Sequence, residues 1–410
     1  MRRIPSVFFG ALALSLAGAL AAGCGGGTDT IDRFIDRYSQ VALARDEDPL
    51  TILDLRSGER RELLPGGECG KFVNLSWSPD GGRLLCVGAT GEQETTATVL
   101  DAATGEVINV IRRAAPVSWW WCGERLVATV YSSADRNALV EIRDDRGHLQ
   151  ETVGPVAVEP ALVGRSSDGE PLCGPSGDRI AYRDAASGAV TVLQLDDLTR
   201  EVVARDAWPL VWVEDGAGLV IAREYRRPEP HQYAEYEAWL LDVASGHETR
   251  LPFLDDQAQF WVAPDGVTVV FIPKQRRPDG LPSLAVGSLD SGETRPIPDS
   301  LITYGSDFIP ASFVRFSDDA RTLYWISDAT AVFRYDLARE DGRAERLSEW
   351  ERPVAFTPDP RVVAHQTVQD TQISLELARA DGADRRVLTR GETSPDVTSF
   401  FSMAWRPPAE

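Results

Sequence analysis

The sequence has few of the residues that metal centres and hydrolytic sites require. Its 410 residues include four histidines and five cysteines. No two cysteines have C-x-x-C spacing, and His148, His231, His247 and His365 have neither H-x-H nor H-E-x-x-H spacing, so no local metal motif is present. No G-x-S-x-G segment occurs, so the nucleophile elbow of α/β-hydrolases is missing.

Lysine is nearly absent. Among the 42 basic residues, only Lys71 and Lys274 are lysines. This bias towards arginine indicates a GC-rich gene rather than a mechanism. The formal net charge is -21 and the isoelectric point is near 4.7. Such a surface repels phosphates, which argues against nucleic acid as a partner and against electrostatic docking to anionic lipid.

A long apolar run is missing as well. The run at residues 7–20 follows Arg2 and Arg3 and is short for a membrane span, but it has the length of a signal-peptide core. The following L-A-A-G-C at residues 20–24 resembles the bacterial lipobox, which implies a lipoprotein signal peptide at residues 1–23 and a lipid on Cys24. The alternative is an ordinary signal peptide with an incidental cysteine. Residues 24–35 are predicted to be the lipidated cysteine and a flexible, glycine-rich tether.

Four cysteines follow Cys24. An even number in an oxidising compartment permits two disulfides with three connectivities. Cys122 and Cys173 lie just past the first strand of adjacent repeats, so a bridge between them is preferred, and buried free thiols are the alternative. The other two are Cys69 and Cys86.

Residues 76–85, S-W-S-P-D-G-G-R-L-L, have the pattern of a strand, a tight turn and a second strand. Asp80 and Gly81 supply the turn chemistry. A third strand at residues 96–100, a turn and a fourth strand at residues 107–111 complete the unit.

The same order recurs, with later units beginning near residues 119, 173, 211, 260, 313 and 355. Residues 41–64 supply strands two, three and four of a unit without a first strand, and residues 402–407 supply a lone first strand. We therefore predict an all-β fold, a β-propeller of eight four-stranded blades closed by the C-terminal strand joining the first blade. Seven blades are the alternative if one degenerate unit is not a blade, and a long mixed sandwich is the other.

The S-P-D-G turns and the later D-x-x-[ST]-G-E turns resemble the TolB-type propeller repeat, a relative of the WD-repeat. The resemblance covers residues 36–407 and implies a single propeller domain at residues 36–410. TolB itself carries an α/β domain before its propeller and is a soluble periplasmic protein, so its role in envelope assembly is not carried over.

Two groups of residues could belong to a functional site, but each also has a simpler, structural explanation. The aspartates of the first turns are expected to cap those turns rather than form a carboxylate site; they are Asp80, Asp265, Asp318 and Asp359. The tryptophans at residues 119–121 are expected to pack between blades, with a ligand-stacking platform near the channel as the alternative.

Two long loops join strands two and three of successive units, at residues 223–233 and 273–282. Equivalent loops of neighbouring blades emerge on the same face, so we predict a basic patch on an otherwise acidic body. The alternative is two solvated insertions. The patch comprises Arg226, Arg227, Lys274, Arg276 and Arg277.

These patterns predict a non-enzymatic lipoprotein of the cell envelope, at the outer membrane, its periplasmic face or the cell surface. We expect a monomer without metal or cofactor, which contacts the membrane through the lipid on Cys24 and binds an envelope protein or glycan. The competing interpretation is a propeller hydrolase or lyase with an axial metal or acid/base site, because a propeller brings distant residues together at its axis.

Overall fold

The computed structural model of the protein describes residues 27–44, 48–89, 94–115, 117–132, 137–157, 171–213, 216–226, 235–257, 259–273, 283–300, 313–328, 330–339, 342–350, 354–369, 372–392 and 402–408. In this part of the chain, 32 strands form eight antiparallel sheets of four strands each. The sheets are the blades of a β-propeller, which confirms the predicted fold class and the count of eight.

The first four blades use the N-terminal half of the chain and the last strand. Blade 1 contains β1 (Gln40–Ala44), β2 (Leu50–Asp54), β3 (Arg60–Leu64) and the C-terminal strand β32. Blade 2 contains β4 (Lys71–Trp77), β5 (Arg83–Ala89), β6 (Thr95–Asp101) and β7 (Val107–Arg113). Blade 3 contains β8 (Val117–Cys122), β9 (Arg125–Tyr131), β10 (Asn137–Arg143) and β11 (Leu149–Ala157). Blade 4 contains β12 (Leu172–Cys173), β13 (Arg179–Arg183), β14 (Val190–Gln194) and β15 (Arg200–Ala204).

The remaining blades follow in chain order. Blade 5 contains β16 (Ala207–Trp212), β17 (Gly218–Arg226), β18 (Glu235–Asp242) and β19 (Glu248–Arg250), and a 3₁₀ helix at Pro252–Leu254 follows it. Blade 6 contains β20 (Phe260–Val262), β21 (Thr268–Phe271), β22 (Ala285–Ser288) and β23 (Thr294–Pro296). Blade 7 contains β24 (Val314–Phe316), β25 (Thr322–Ser327), β26 (Ala331–Asp336) and β27 (Glu345–Glu349). Blade 8 contains β28 (Val354–Phe356), β29 (Val362–Gln369), β30 (Gln372–Arg379) and β31 (Arg385–Glu392), and the chain ends with β32 (Ser402–Trp405).

The two ends of the chain meet in blade 1, whose strand order is β3-β2-β1-β32. Strand β32 pairs antiparallel with β1, and Val41 lies opposite Trp405 while Ala44 lies opposite Ser402. The predicted closure of the ring is confirmed. Because the first and last strands share one sheet, neither is left as an unpaired inner edge.

The hydrophobic core lies between the blades. Strand side chains alternate between the two faces of a sheet, so each blade packs against both neighbours. One cluster joins blades 6 and 7 around Val270 and Trp325, both fully buried. Another joins blades 2 and 3 around Leu85, Leu126 and Trp119.

Tryptophans near the ends of the inner strands also bond the preceding blade. The indole Nε1 of Trp212 in blade 5 donates to the carbonyl of Leu172 in blade 4, at 2.9 Å. Trp121 in blade 3 donates to the carbonyl of Ser76 in blade 2, at 3.4 Å. Leu172 and Ser76 are in hydrogen-bonded pairs with Ala181 and Leu85 of the second strands, so each carbonyl accepts the indole N–H in addition to its ladder partner.

A helix, α1 (Gly27–Arg37), precedes the first strand. The prediction of a flexible tether over residues 24–35 is therefore wrong from residue 27 onwards. The physical reason is the spacing of Ile31, Phe34, Ile35 and Tyr38, which places four apolar side chains on one helical face. These side chains are buried between blade 1 and blade 8. Among the described residues, no helix combines the length and apolar character needed to cross a membrane.

Candidate functional site

The two arginine-rich loops leave adjacent blades at equivalent positions. The first connects β17, which ends at Arg226, to β18 in blade 5, and the second connects β21 to β22 in blade 6. Both therefore join the second and third strands of their blades and depart from the same side of the ring, which we call the loop face. Arg226 is the last residue of β17, and its side chain is not described. The other four patch residues lie outside the described residues: Arg227, Lys274, Arg276 and Arg277.

The first loop begins with a break in the β17–β18 ladder. Arg223 pairs with Glu237, but the next pair is Arg226 with Glu235, so the register shifts between them. Glu224 inside this shift has φ of 50°, a left-handed conformation uncommon for a residue other than glycine. This β-bulge turns the strand out of the blade before the loop starts.

An ion pair braces the strand directly below the bulge. Arg223 Nε donates to Glu248 Oε2 of β19 at 2.8 Å, and Arg223 Nη1 donates to the carbonyl of Arg205 at 2.8 Å. Arg223 Nη2 donates to the other oxygen of Glu248. The hydrogen bond with Glu248 raises the pKa of the Arg223 guanidinium, against the opposing effect of its burial. A bidentate, partly buried pair of this kind fixes geometry as well as charge.

The strand on the return side is braced in the same way. Asp255 accepts hydrogen bonds from Arg250 and from the backbone N–H of Ala238, the latter at 2.8 Å. Asp256 accepts the backbone N–H of Tyr236 at 2.6 Å. The connection after β19 is thereby attached to β18. The described charged groups that brace the base of the loop are two arginines, Arg223 and Arg250, and the carboxylates of Glu248, Asp255 and Asp256, so the base is acidic.

The three consecutive tryptophans of β8 pack between blades. Trp119 and Trp121 face blade 2, while Trp120 and Cys122 face blade 4. Trp119 is 7% exposed. The packing interpretation fits this arrangement, and the ligand-stacking alternative does not.

The first-turn aspartates mostly cap their turns, as expected. Asp80 Oδ1 accepts the backbone N–H of Gly82 at 2.9 Å, and Asp265 and Asp359 accept backbone N–H groups within their own turns. Asp318 is the exception: its carboxylate binds Arg37 of α1 at 2.8 Å, and the adjacent Asp319 caps the turn. The capping prediction is wrong for Asp318 because Asp319 occupies the position that Asp80 has in its turn, where it accepts the hydroxyl of Ser317 as Asp80 accepts that of Ser78.

The three histidines that the structure describes do not converge. His365 is 3% exposed on β29, where its Nε2 lies 3.2 Å from Glu376 Oε2. Burial lowers the pKa of His365, and the charge of Glu376 partly offsets this effect. His247 is exposed in its turn, and His148 Nδ1 lies 3.2 Å from Asp144 Oδ2 on the surface. His231 lies outside the described residues.

The four cysteines after Cys24 form two disulfides. One joins Cys122 to Cys173, the pairing preferred from the sequence, and so connects the inner strands of blades 3 and 4. The other joins Cys69 to Cys86 within blade 2. Cys24 lies outside the described residues.

The face opposite the loops carries a groove of about 510 Å³ between blades 5 and 6. Asp242 and Asp265 line it, but their carboxylates accept hydrogen bonds from Ser245 and Thr268 of their own turns. Across the described residues, no three His, Cys, Asp or Glu side chains cluster with metal-binding geometry.

No protein-family model and no curated protein matches the chain. Solved structures do match. The chain is similar to dihydro-heme d1 dehydrogenase NirN in complex with DHE, at 14% identity and a TM-score of 0.54, over 89% of this chain and 75% of NirN. It is similar to a eukaryotic initiation factor at 11% identity and a TM-score of 0.51, over 90% of this chain and 98% of the factor. TolB from Acinetobacter baumannii is also among the similar structures, at 15% identity and a TM-score of 0.36, over 82% of each chain.

The chain is a β-propeller. At these identities the similarity shows the fold alone. The matching structures include a dehydrogenase and an initiation factor, so they comprise enzymes and proteins that are not enzymes. TolB is among the propellers that the chain resembles, as the repeats indicate.

Proposed function

We propose that this protein is an exported, lipid-anchored and non-enzymatic propeller that binds an acidic protein or an anionic glycan of the cell envelope at its loop face. The lipid on Cys24 holds it at the membrane. The partner contacts the basic patch defined above, from Arg226 to Arg277. The protein acts as a monomer and needs no cofactor.

The disulfides support export. Cys69, Cys86, Cys122 and Cys173 are all paired, and such bonds persist in oxidising compartments and are rare in the cytosol. Cys24 is the remaining one of the five cysteines, and it follows the L-A-A-G run that resembles a lipobox. An odd cysteine at that position is the one available for lipid attachment.

The binding proposal rests on the placement of the two loops. They leave adjacent blades on one face, and the first rises from a base held by the Arg223–Glu248 and Arg250–Asp255 pairs. Long loops on a rigid scaffold are frequent binding elements. Because the base carries more carboxylates than arginines and the chain has a net charge of -21, the Arg-Arg-Pro repeats are a local reversal of sign that attracts anionic partners.

The runner-up, a hydrolase or lyase, gains no support from the titratable residues within the described part of the chain. Asp80, Asp265 and Asp359 hold their own turns. His365 is too deeply buried to contact a substrate. A general acid or base must reach the reacting atom, and neither group is so placed.

The patch is tested by replacing Arg226, Arg227, Arg276 and Arg277 with Ser and measuring capture from native envelope extract at low salt. We expect weaker capture of specific partners and weaker wild-type capture as salt rises, because exposed charges are screened over about 8 Å at physiological ionic strength. The matched control replaces four exposed arginines away from the loops with Ser: Arg112, Arg146, Arg321 and Arg343. Equal capture by both quadruple variants, or full retention of every partner by the patch variant, contradicts the proposal.

The anchor is tested separately by Cys24→Ser. We expect the variant to leave the membrane fraction, since each buried lipid methylene contributes about 0.8 kcal/mol of membrane affinity. A Cys24→Ser protein that sediments with membranes as the wild type does contradicts lipid anchoring without affecting the patch.

A further inference from the structure

Helix α1 lies on the side of the ring that is opposite the loop face. In each blade this side bears the turns that join the first strand to the second and the third strand to the fourth, and we call it the turn face. Three ion pairs attach the helix to turn-face residues of blades 1, 7 and 8. They are Arg37 with Asp318 at 2.8 Å, Asp36 with Arg56 at 2.9 Å and Asp32 with Arg386 at 3.9 Å.

The apolar side of α1 holds the helix in this position. Ile31, Phe34 and Ile35 are between 1% and 4% exposed, and they pack against blades 1 and 8. The Phe34 ring meets the ring of Trp405, the last residue of the closing strand, edge-on with 5.2 Å between the centroids. Exposed ion pairs contribute little to stability, whereas the burial of large apolar side chains contributes much more. Helix α1 and the turn face are therefore parts of one packed unit.

The helix begins over the turn face of blade 8. Thr30, in the first turn of α1, lines a cavity of about 150 Å³ together with Arg361 and Asp381 of that blade. Asp381 follows β30, in the turn that leads to β31. Cys24 precedes Gly27, the first residue of α1, by three residues. An extended chain spans at most about 11 Å over three residues, so an anchor on Cys24 is joined to the start of the helix within that distance.

The height of a blade decides which face such an anchor can bring to a membrane. Strand β29 has eight residues, and at roughly 3.3 Å per residue it separates the two faces of blade 8 by about 25 Å. A tether of about 11 Å is too short to pass from the helix to the loop face. A flexible coil over the sixteen residues 24–39 would have an r.m.s. length of about 22 Å and would favour neither face. The docked helix therefore makes the attachment one-sided.

We propose that α1 orients the propeller on the membrane, with the turn face towards the lipid surface and the loop face away from it. This inference rests on the lipid at Cys24 in the proposed function. It also narrows the class of partner. The head-group layer extends about 5 to 8 Å beyond the hydrocarbon core, whereas the loop face lies about one blade height from the lipid surface. The loop-face partner therefore approaches from the aqueous space, and a lipid head group is excluded as that partner.

The orientation is tested with the mature chain, residues 24–410, coupled through the Cys24 thiol to a maleimide phospholipid in phosphatidylcholine vesicles. The other four cysteines are paired, so coupling is confined to Cys24. The vesicles also contain a phospholipid with a photoreactive diazirine on its head group, and mass spectrometry locates the labelled peptides after irradiation. We expect labels on turn-face residues 380–384 and none on the loops at residues 223–233 and 273–282. Chemical coupling replaces biological lipidation, so a chain that cells do not lipidate contradicts the proposed anchor and leaves this test valid.

A matched control moves the attachment to the opposite face. It combines Cys24→Ser with Glu235→Cys, because Glu235 is exposed and begins β18 beside the first loop. Its labels should fall on the loops and be absent from residues 380–384. This reversal shows that both faces can be labelled when they are brought to the lipid.

A second variant separates the helix from the anchor. Sixteen Gly and Ser residues inserted between Gly26 and Gly27 add an r.m.s. reach of about 22 Å. The ratio of turn-face to loop-face labelling should then fall several-fold, while the melting temperature stays that of the wild type because the contacts of α1 are kept. Equal labelling of both faces, or preferential labelling of the loops, in the chain without the insertion overturns the proposal. So does a ratio that the insertion leaves unchanged, which would assign the orientation to an affinity of the turn face for lipid.

Discussion

The indole Nε1 of Trp77 donates a 2.9 Å hydrogen bond to the carbonyl oxygen of Ala404, which lies 327 residues further along the chain. Trp77 ends the inner strand of blade 2, and Ala404 belongs to the closing strand of blade 1. The guanidinium of Arg406 lies 5.7 Å from the Trp77 ring centroid on the same seam. The closing strand is therefore held by its ladder with β1 on one side and by blade 2 on the other.

Trp77→Phe should lower the free energy of unfolding by about 0.5 to 1.5 kcal/mol, because the buried carbonyl of Ala404 loses one of its two donors and keeps only its ladder bond with Ala42. Urea unfolding measures the loss. Trp239→Phe is the control, since among the described residues the buried Nε1 of Trp239 finds no acceptor and its ring also faces an arginine, Arg250. Equal losses in the two variants would show that the hydrogen bond contributes nothing specific.

Removal of residues 402–410 should destabilise the whole ring by several kcal/mol, because it strips β1 of its inner partner and exposes apolar side chains of blade 1. A second variant that lacks residues 407–410 keeps β32 and serves as the control. Thermal unfolding of both variants decides the point. Indistinguishable melting temperatures would mean that the closing strand does not hold the ring together.

The features predictable from sequence are those with local causes. Each S-P-D-G or D-x-x-[ST]-G turn is specified by a few adjacent residues, so the strands and the eight blades could be counted. The unit at residues 41–64 lacks a first strand, and the C-terminal segment is a lone first strand. Their pairing in one blade could therefore be predicted. Helix α1 was missed because glycine at residues 25–27 indicated a tether, although Ile31, Phe34 and Ile35 carried the helical period.

The candidate sites were harder to predict because they depend on contacts between distant residues. The role of Asp318 depends on Arg37, which lies 281 residues away.

The two disulfides should contribute unequally to stability. In the chain-entropy account, the Cys122–Cys173 bridge, with a separation of 51 residues, contributes about 4 kcal/mol, and the Cys69–Cys86 bridge, with a separation of 17, contributes about 3 kcal/mol. We therefore expect Cys122→Ala with Cys173→Ala to lower the free energy of unfolding more than Cys69→Ala with Cys86→Ala. Urea unfolding of both double variants tests this, with the reduced wild type as the lower reference. The reverse order would contradict the entropic account for this ring.

The turns between the third and fourth strands should make the ring sensitive to acid. Asp101 Oδ1 accepts hydrogen bonds from the backbone N–H and hydroxyl of Thr104 and from the N–H of Ala103, at 2.9 to 3.0 Å. The bond from the backbone of Thr104 contributes most to holding the pKa of Asp101 below its usual value, and Ser57 and Ser187 act likewise on the pKa values of Asp54 and Asp184.

A carboxyl whose pKa is lower in the folded state stabilises that state above its unfolded pKa, near 4, and loses the contribution as pH falls through the folded value. The free energy of unfolding should therefore decline between about pH 5 and pH 2. Replacing Asp54, Asp101 and Asp184 with Asn keeps an acceptor oxygen but removes the titration, so the decline should be shallower. In the control variant, three other exposed aspartates are replaced with Asn: Asp206, Asp290 and Asp328. Within the described residues, the carboxylates of these three accept no hydrogen bond. Urea titrations at each pH measure the slopes, and equal slopes for the two triple variants would assign the acid sensitivity to other groups.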